Sequence, residues 1–191
     1  IPEMLQKLDD EIISFCPAVE IAALKENEQR ELLKAMDYAQ AIPSLSQAQR
    51  IKQLSKEKQL SLEKMEEIQR KRLHIWNIYD ESLKKLEEKN LLSLQKIPEY
   101  ATNNAHMFYM VCNTPEERTQ LIEHLKKDGI HAVFHYLSLH KSKYAQKHHL
   151  DEAYLPMSDY YTERLVRLPM FYSMSDEDVN RVVYSILNFF D

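Results

Sequence analysis

The chain has 191 residues, 44% of them hydrophobic, and a formal net charge of −5. This length accommodates one domain or two small ones with a hydrophobic core. The mildly acidic balance argues against a nucleic-acid-binding protein, which normally presents a basic face, and no apolar run approaches the ~18 residues that would predict a membrane span.

Helices interrupted by prolines are predicted for the N-terminal part. Pro17 is expected to end a first helix, and Pro43 to end a second helix over about 18–41. In the second helix, Glu26 and Arg30 have the i,i+4 spacing of an ion pair. The apolar face of the first helix consists of Leu5, Leu8, Ile12 and Phe15.

A long helix is predicted next, over about 46–88. Ser44 and Gln47 form a capping box at its start, and neither proline nor glycine interrupts it. Its periodicity fits either a helix that links two domains or an amphipathic helix of a bundle or coiled coil. We expect two of its aromatic residues, Trp76 and Tyr79, to bury against the strand that contains Phe108.

The C-terminal part is predicted to contain buried strands at 104–112 and 130–137, because both segments are apolar and short. Between them, Thr114 caps a helix that Gly129 ends. The buried stripe of that helix is Leu121, Ile122 and Leu125.

The remaining elements are a helix over about 159–166, a strand at 167–171 and a final helix capped by Ser175. Strands and helices in this order predict an α+β fold with a short, mainly antiparallel sheet. The predicted regions are therefore a helical region at 1–43, a linking helix at 44–96 and a C-terminal small domain at 97–191.

Two cysteines, Cys16 and Cys112, are too few for a disulfide scaffold and indicate a reduced, cytoplasmic location. Cys112 follows apolar residues, an environment that raises the pKa of a thiol. It is therefore not expected to act as a nucleophile.

Four segments carry a resemblance to a known family: Arg70–Tyr79, Asn103–Tyr109, His131–His140 and Glu163–Tyr172. Together they resemble the C-terminal portion of the DegT/DnrJ/EryC1/StrS sugar-nucleotide aminotransferases, which act on dTDP-4-keto-6-deoxyhexoses. Within that family the similarity is greatest to the dTDP-4-amino-4,6-dideoxygalactose transaminase type. The resemblance covers about residues 62–190, and no similarity is found over 1–60. It implies that the C-terminal region is an aminotransferase-like small domain.

The resemblance also implies a cofactor. The family holds pyridoxal phosphate (PLP) on a lysine of an N-terminal large domain, with glycine-rich turns around the cofactor phosphate. This chain has one glycine, Gly129, although such turns need backbone that takes positive φ. Ile1 in place of methionine indicates a piece of a longer chain, yet 1–57 contains no glycine. We therefore expect the lysine-bearing domain to be absent or replaced, with no cofactor for this chain alone and PLP only if that domain is supplied elsewhere.

Candidate ligand-binding residues also follow from the resemblance. The family segment His-Tyr-x-Pro-Leu-His, beside the sugar-nucleotide site, corresponds here to His135, Tyr136, Leu139 and His140, with Ser138 at the proline position. His106 is a further candidate. The alternative is that these histidines are hydrogen-bonded within or beside a core. If 130–137 were a regular strand, His135 and Tyr136 would point to opposite faces.

The run at 141–149 is basic and contains Tyr144. It fits either a phosphate contact or a solvated loop. A metal site built from His140, His148 and His149 lacks a recognised ligand spacing, so no metal is predicted.

Three functional hypotheses remain open. The leading one is a non-catalytic aminotransferase remnant, without catalytic residues, that acts as a binding module for a protein partner, for a second copy or for a nucleotide sugar. Its expected interaction surface is Ile21, Leu24, Leu32 and Met36. The alternative is the C-terminal part of a PLP-dependent aminotransferase whose catalytic lysine lies outside this chain. The third is a structural homo-oligomer built on the long helix.

Overall fold

A computed structural model describes residues 1–39, 42–148 and 154–191. The chain folds as two compact units. The helical unit contains Ile1–His74 and Ile97–His106, and the sheet unit contains Ile75–Lys96 and Met107–Asp191. Helices together with a small antiparallel sheet confirm the predicted α+β class. The predicted boundaries at 43 and 96 remain a prediction.

Five helices come first along the chain: α1 Pro2–Asp9, α2 Phe15–Ala22, α3 Glu26–Ala39, α4 Leu45–Lys56 and α5 Leu62–Glu88. The elements that follow are β1 Leu92–Leu94, β2 Tyr109–Cys112, α6 Pro115–Lys127, a 3₁₀ turn at Leu139–Lys141, α7 Lys143–Lys147, α8 Pro156–Arg164, β3 Leu165–Arg167 and α9 Asp176–Phe190.

The first two predicted helices are divided differently in the structure. α1 ends at Asp9, and Glu11 takes a positive φ of 58°. Pro17 lies in the first turn of α2, where its missing N–H costs little, so it does not end a helix as predicted. The expected apolar face of the first helix is also wrong, because Leu5, Ile12 and Phe15 are exposed.

The second predicted helix is interrupted between α2 and α3. Lys25 N donates to the carboxylate of Glu28 at 2.9 Å at the start of α3. The predicted ion pair between Glu26 and Arg30 is confirmed at 2.8 Å.

The predicted long helix is also interrupted, although neither proline nor glycine marks the break. α4 ends at Lys56, and Lys58 takes a φ of 57° while Gln59 N donates to Leu54 O at 2.9 Å. α5 then begins after Ser61, whose hydroxyl accepts from Lys64 N at 3.2 Å. The capping box of Ser44 and Gln47 at the start of α4 is confirmed.

The core of the helical unit corrects the predicted interaction surface. Ile21, Leu24, Leu32 and Met36 are all buried, and they belong to one apolar cluster with residues of α1, α4 and α5. Their spacing identified an apolar face correctly, but that face packs inside the unit and is not displayed. The other members of the cluster are Met4, Ile13, Ala35, Ala48, Ile51 and Met65.

The sheet has the order β1-β2-β3, with both pairs antiparallel. In this register Leu92 lies opposite Cys112, and Met110 lies opposite Val166. β1 was not predicted, since three residues are too few to show a periodicity. The strand predicted at 104–112 contains only β2, because the side chains of Asn103 and Asn104 close a turn before it.

The other predicted elements of the sheet unit differ mainly in their bounds. The segment at 130–137 forms a single bridge, between Val133 and Arg167, and not a regular strand. The last strand is observed at Leu165–Arg167, earlier than the predicted 167–171. The capping boxes of Thr114 and Ser175 are confirmed, and Gly129 ends α6 with a φ of 73°.

A buried aromatic trio joins α5 to the sheet. The ring of Phe108 lies 5.4 Å from Trp76 and 5.2 Å from Tyr79, centroid to centroid. The Tyr79 hydroxyl donates to Pro169 O at 2.8 Å, and burial raises its pKa. The expected packing of Trp76 and Tyr79 on Phe108 is confirmed.

Replacing Trp76 with Ala should destabilise the protein by about 3–5 kcal/mol, since the indole is 7% exposed and its removal leaves a cavity. Asn77→Ala, at the exposed next position of α5, should change the free energy of unfolding by no more than about 0.5 kcal/mol. Urea denaturation measures both. A loss below about 1 kcal/mol for Trp76→Ala would contradict the packing described.

A matched pair in α2 tests the core of the helical unit. Ile21 is 1% exposed and Val19 is 53% exposed. Ile21→Ala should cost about 2–5 kcal/mol, and Val19→Ala should stay within about 0.5 kcal/mol. Thermal and urea unfolding report the difference, and equal effects of the two substitutions would be inconsistent with a buried Ile21.

Candidate ligand-binding site

The candidate site is the loop at 133–141, which leaves the edge of the sheet. Val133 makes both backbone hydrogen bonds to Arg167, at 3.1 and 2.8 Å. Beyond this bridge the chain turns, and Tyr136 takes a φ of 53°. Side chains with a Cβ adopt this region rarely, and such residues cluster at functional sites.

His135 is oriented by Arg167. Nη1 of Arg167 lies 3.3 Å from Nδ1 of His135. A guanidinium only donates, so Nδ1 accepts and the neutral imidazole carries its proton on Nε2. Burial lowers the pKa of His135, and the positive charge of Arg167 lowers it further. The contact with Arg167 and the burial of the ring therefore both favour the neutral imidazole with its proton on Nε2.

Tyr136 lies against His135. The two rings are 4.3 Å apart, centroid to centroid, although a regular strand would separate them. The positive φ of Tyr136 ends the extended conformation and brings both rings to one side. The Tyr136 ring is 73% exposed, so the pair offers an aromatic surface beside a hydrogen-bond donor.

Ser138, at the position of the family proline, joins the loop to α8. Its side chain is buried, and its hydroxyl lies 3.0 Å from the hydroxyl of Thr162. The Ser158 hydroxyl donates to it at 3.1 Å. At this position the family proline would restrict the backbone through its ring, and here the hydrogen bonds of Ser138 to α8 restrict it instead.

His140 also faces α8. Its Nε2 lies 3.3 Å from the carboxylate of Asp159, and the ammonium of Lys141 lies 2.9 Å from the same oxygen. The hydrogen bond from Lys141 holds the pKa of Asp159 below its usual value and raises the pKa of Lys141. Because His140 is buried and its Nε2 faces a carboxylate, it anchors the loop.

His106 lies in the helical unit. Its N–H donates to the side chain of Asn104 at 3.0 Å, and its carbonyl accepts from the buried guanidinium of Arg72. The structure thus brings together three of the four predicted ligand residues, His135, Tyr136 and His140, on one loop of the sheet unit.

The other candidates do not add to the site. In the part of the chain that the structure describes, no three His, Cys, Asp or Glu side chains are placed to hold a metal ion. The ring of His148 packs on Tyr144 at 4.3 Å, and His149 lies outside the described residues. Cys112 is buried, and burial raises its pKa to about 12, as expected for an unreactive thiol.

Three residues of the site were missed from the sequence. Arg167 stands within one of the family-like segments, but nothing there indicated its contact with His135, which is 32 positions away. Asp159 and Thr162 carried no signal, because polar residues on a short helix are ordinary. Helical spacing places Asp159 and Thr162, three positions apart, on one face of the helix, but it does not show what that face contacts.

Comparison with known proteins relates the chain to one family. Residues 18–187 match the DegT/DnrJ/EryC1/StrS aminotransferase family. An uncharacterized protein of Methanocaldococcus jannaschii is 29% identical over 129 residues, which are 65% of this chain and 33% of that protein.

Two solved structures share the fold. The aminotransferase TlmJ from Streptoalloteichus hindustanus has a TM-score of 0.56 and 24% identity, over 64% of this chain and 31% of that one. NtdA from Bacillus subtilis with bound cofactor PMP has a TM-score of 0.58 and 23% identity, over 75% of this chain and 31% of that one. The chain spans about a third of the length of these three proteins.

The chain belongs to the DegT/DnrJ/EryC1/StrS aminotransferase family, since the match extends over most of its length. The match begins at residue 18, so the expectation that residues 1–60 lack the resemblance is wrong. Residues 18–61 are part of the matched region.

The family implies PLP, and the described residues do not by themselves form a site for it. The single glycine, Gly129, ends α6 and is not part of a phosphate-binding turn. Among the described residues no lysine is buried, whereas a cofactor lysine is activated by desolvation or by a neighbouring charge. Separately, no described helix is both long and apolar enough to cross a membrane.

Replacing Arg167 with Gln should raise the pKa of His135 part of the way to its usual value of about 6.5, because the charge is removed while burial remains. In the wild type, a lowered folded-state pKa means that the unfolded chain binds the proton more tightly. His135 thus contributes stability above about pH 6.5, which is lost as the pH falls through that value towards the folded pKa.

NMR titration of the His135 ring measures this shift. Arg164→Gln is the matched control, since Arg164 donates to Asn113 O and Tyr160 O, and it should leave the titration unchanged. An unaltered His135 pKa in the Arg167→Gln protein would show that the contact does not set the protonation of the ring.

Proposed function

We propose that this chain is the C-terminal part of a PLP-dependent sugar aminotransferase and that its loop at 133–141 binds the nucleotide sugar. The observation that carries the proposal is the orientation of His135 by Arg167 at 3.3 Å, beside the exposed ring of Tyr136. The catalytic lysine and the turns that hold the cofactor phosphate are contributed from outside this chain. PLP supplies the electron sink for the amino-group transfer when it is bound.

The chemistry of the loop suits a sugar. The Nε2–H of neutral His135 donates a hydrogen bond to a sugar oxygen, and the Tyr136 ring packs on the apolar face of the hexose. The resemblance to dTDP-4-amino-4,6-dideoxygalactose transaminases supports a dTDP-4-keto-6-deoxyhexose as the substrate class. Two free cysteines, one of them exposed, support a cytoplasmic location.

A second candidate is a non-catalytic module that binds a protein partner or a second copy. The buried residues Ile21, Leu24, Leu32 and Met36 no longer support it, but other residues do. Phe15 and Val19, one turn apart on α2, are 70% and 53% exposed, and contiguous exposed apolar surface is typical of interaction sites. Self-association through the long helix belongs to the same class.

The proposed function predicts that the chain binds a dTDP-hexose. Isothermal titration with dTDP-glucose as the probe should detect binding, and His135→Ala and Tyr136→Ala should each weaken it about tenfold, the loss expected for one hydrogen bond or one ring contact. His131→Ala, at an exposed position just before the loop, should bind like the wild type.

Three results would count against the proposal. If the wild type bound no dTDP-glucose, or if both substitutions left the affinity unchanged, the loop would not be the ligand site. Mixing the protein with PLP and borohydride is the companion measurement. A stoichiometric adduct on one lysine would show that this chain itself holds the cofactor and would overturn the assignment of the lysine to another segment.

A further inference from the structure

Three residues of the candidate loop contact α8. Ser138 contacts Ser158 and Thr162, and both His140 and Lys141 contact Asp159. On a helix, residues four positions apart, such as Ser158 and Thr162, share a face, and so do residues three positions apart, such as Asp159 and Thr162. The contacts therefore form one continuous attachment along α8.

These contacts involve polar groups whose burial without a partner would destabilise the folded protein. Ser138 and His140 are buried, and a buried hydroxyl that loses its hydrogen-bond partners is costly. Rotating the loop away from α8 would break the hydrogen bonds of Ser138 and the contact between His140 and Asp159 at once. The loop conformation and the position of α8 are therefore coupled.

The attachment lies directly beside the ligand-binding pair. Ser138 is two residues from Tyr136, whose positive φ brings its ring against His135. A residue with a Cβ keeps a positive φ only where its surroundings determine it. Arg167 fixes the loop before Tyr136, through its backbone bonds to Val133 and its contact with His135. The contacts to α8 fix the loop after Tyr136.

We propose that Ser158, Asp159 and Thr162 are positioning residues for nucleotide-sugar binding. They do not touch the ligand; they hold the segment that follows Tyr136, so that the His135–Tyr136 pair is already arranged before the sugar arrives. A ligand then does not have to order the loop, which is the physical gain of preorganisation. The proposal rests on the proposed function, because it presupposes that the loop binds the sugar.

The backbone conformation of Ser138 allows a test that does not depend on the hydroxyl contacts. Its φ is −56°, within the range that a proline ring enforces. Ser138→Pro removes the hydroxyl that α8 contacts, but it also restricts the same backbone angle. If α8 acts by restricting the loop, proline should replace part of its effect.

The test measures dTDP-glucose affinity together with amide hydrogen exchange of residues 135–141. Thr162→Val, which keeps the side-chain shape, should weaken binding about three- to tenfold and speed exchange in the loop. Asp159→Asn, which disturbs the contacts of His140 and Lys141, should weaken binding about tenfold. Thr119→Val on α6 is the matched control, since the Thr119 hydroxyl bonds only Pro115 O among the described residues, and it should change neither quantity.

The decisive variant is the double substitution Ser138→Pro with Thr162→Val. It should bind more tightly than Thr162→Val alone, whereas a merely structural role for Thr162 predicts no rescue. Unchanged affinity and unchanged exchange in Thr162→Val would overturn the inference while leaving the proposed function standing. Absence of dTDP-glucose binding in the wild type would instead remove the proposed function, and this inference with it. Circular dichroism melting checks that each variant is folded. If Asp159→Asn does not fold, the comparison is made with Thr162→Val alone.

Discussion

Arg167 is the residue on which the candidate site depends. Its backbone pairs with Tyr109 of β2 on one side and with Val133 on the other, and its guanidinium contacts Nδ1 of His135. One residue thus connects the sheet to the loop and sets the tautomer of the imidazole. A guanidinium suits this role because it stays charged and can only donate. Its charge also favours the neutral form of His135.

The loop is constrained from both ends by different physical means. Backbone hydrogen bonds at Val133 hold its first residue. Hydroxyl and carboxylate contacts to α8 hold Ser138 and His140. The segment between them carries the exposed Tyr136. Exposed aromatic surface next to buried polar contacts is what a binding loop requires, since the anchored atoms supply rigidity and the exposed ones remain free for the ligand.

The helical unit has a different kind of stability. Its core is apolar and draws residues from α1 to α5. The family match from residue 18 onward assigns most of this unit to the aminotransferase region, although the chain spans only about a third of its relatives. With Ile21, Leu24, Leu32 and Met36 committed to that core, the exposed apolar residues left on α2 are Phe15 and Val19. Elsewhere in the unit, Leu5 and Ile12 are also exposed.

The sequence by itself determined the features that depend on neighbours three or four positions apart. The capping boxes of Ser44, Thr114 and Ser175, the end of α6 at Gly129 and the ion pair of Glu26 with Arg30 were all predicted correctly. Such contacts close within one helical turn, so local residue types suffice to specify them. One of the family-like segments, His131–His140, likewise indicated the candidate loop.

Only the tertiary structure decided what covers each apolar face and which distant side chains meet. The break after α4 occurs at Lys58, a residue type that does not signal a turn. Ile21 is buried because α2 and α4 pack in one core. Periodicity identifies the apolar face of a helix, but it does not identify the element that packs against that face. Arg167 reaches His135 across 32 positions, and Asp159 reaches His140 across 19 positions. These contacts arise from the packing of whole elements, and no pattern of neighbouring residues encodes them.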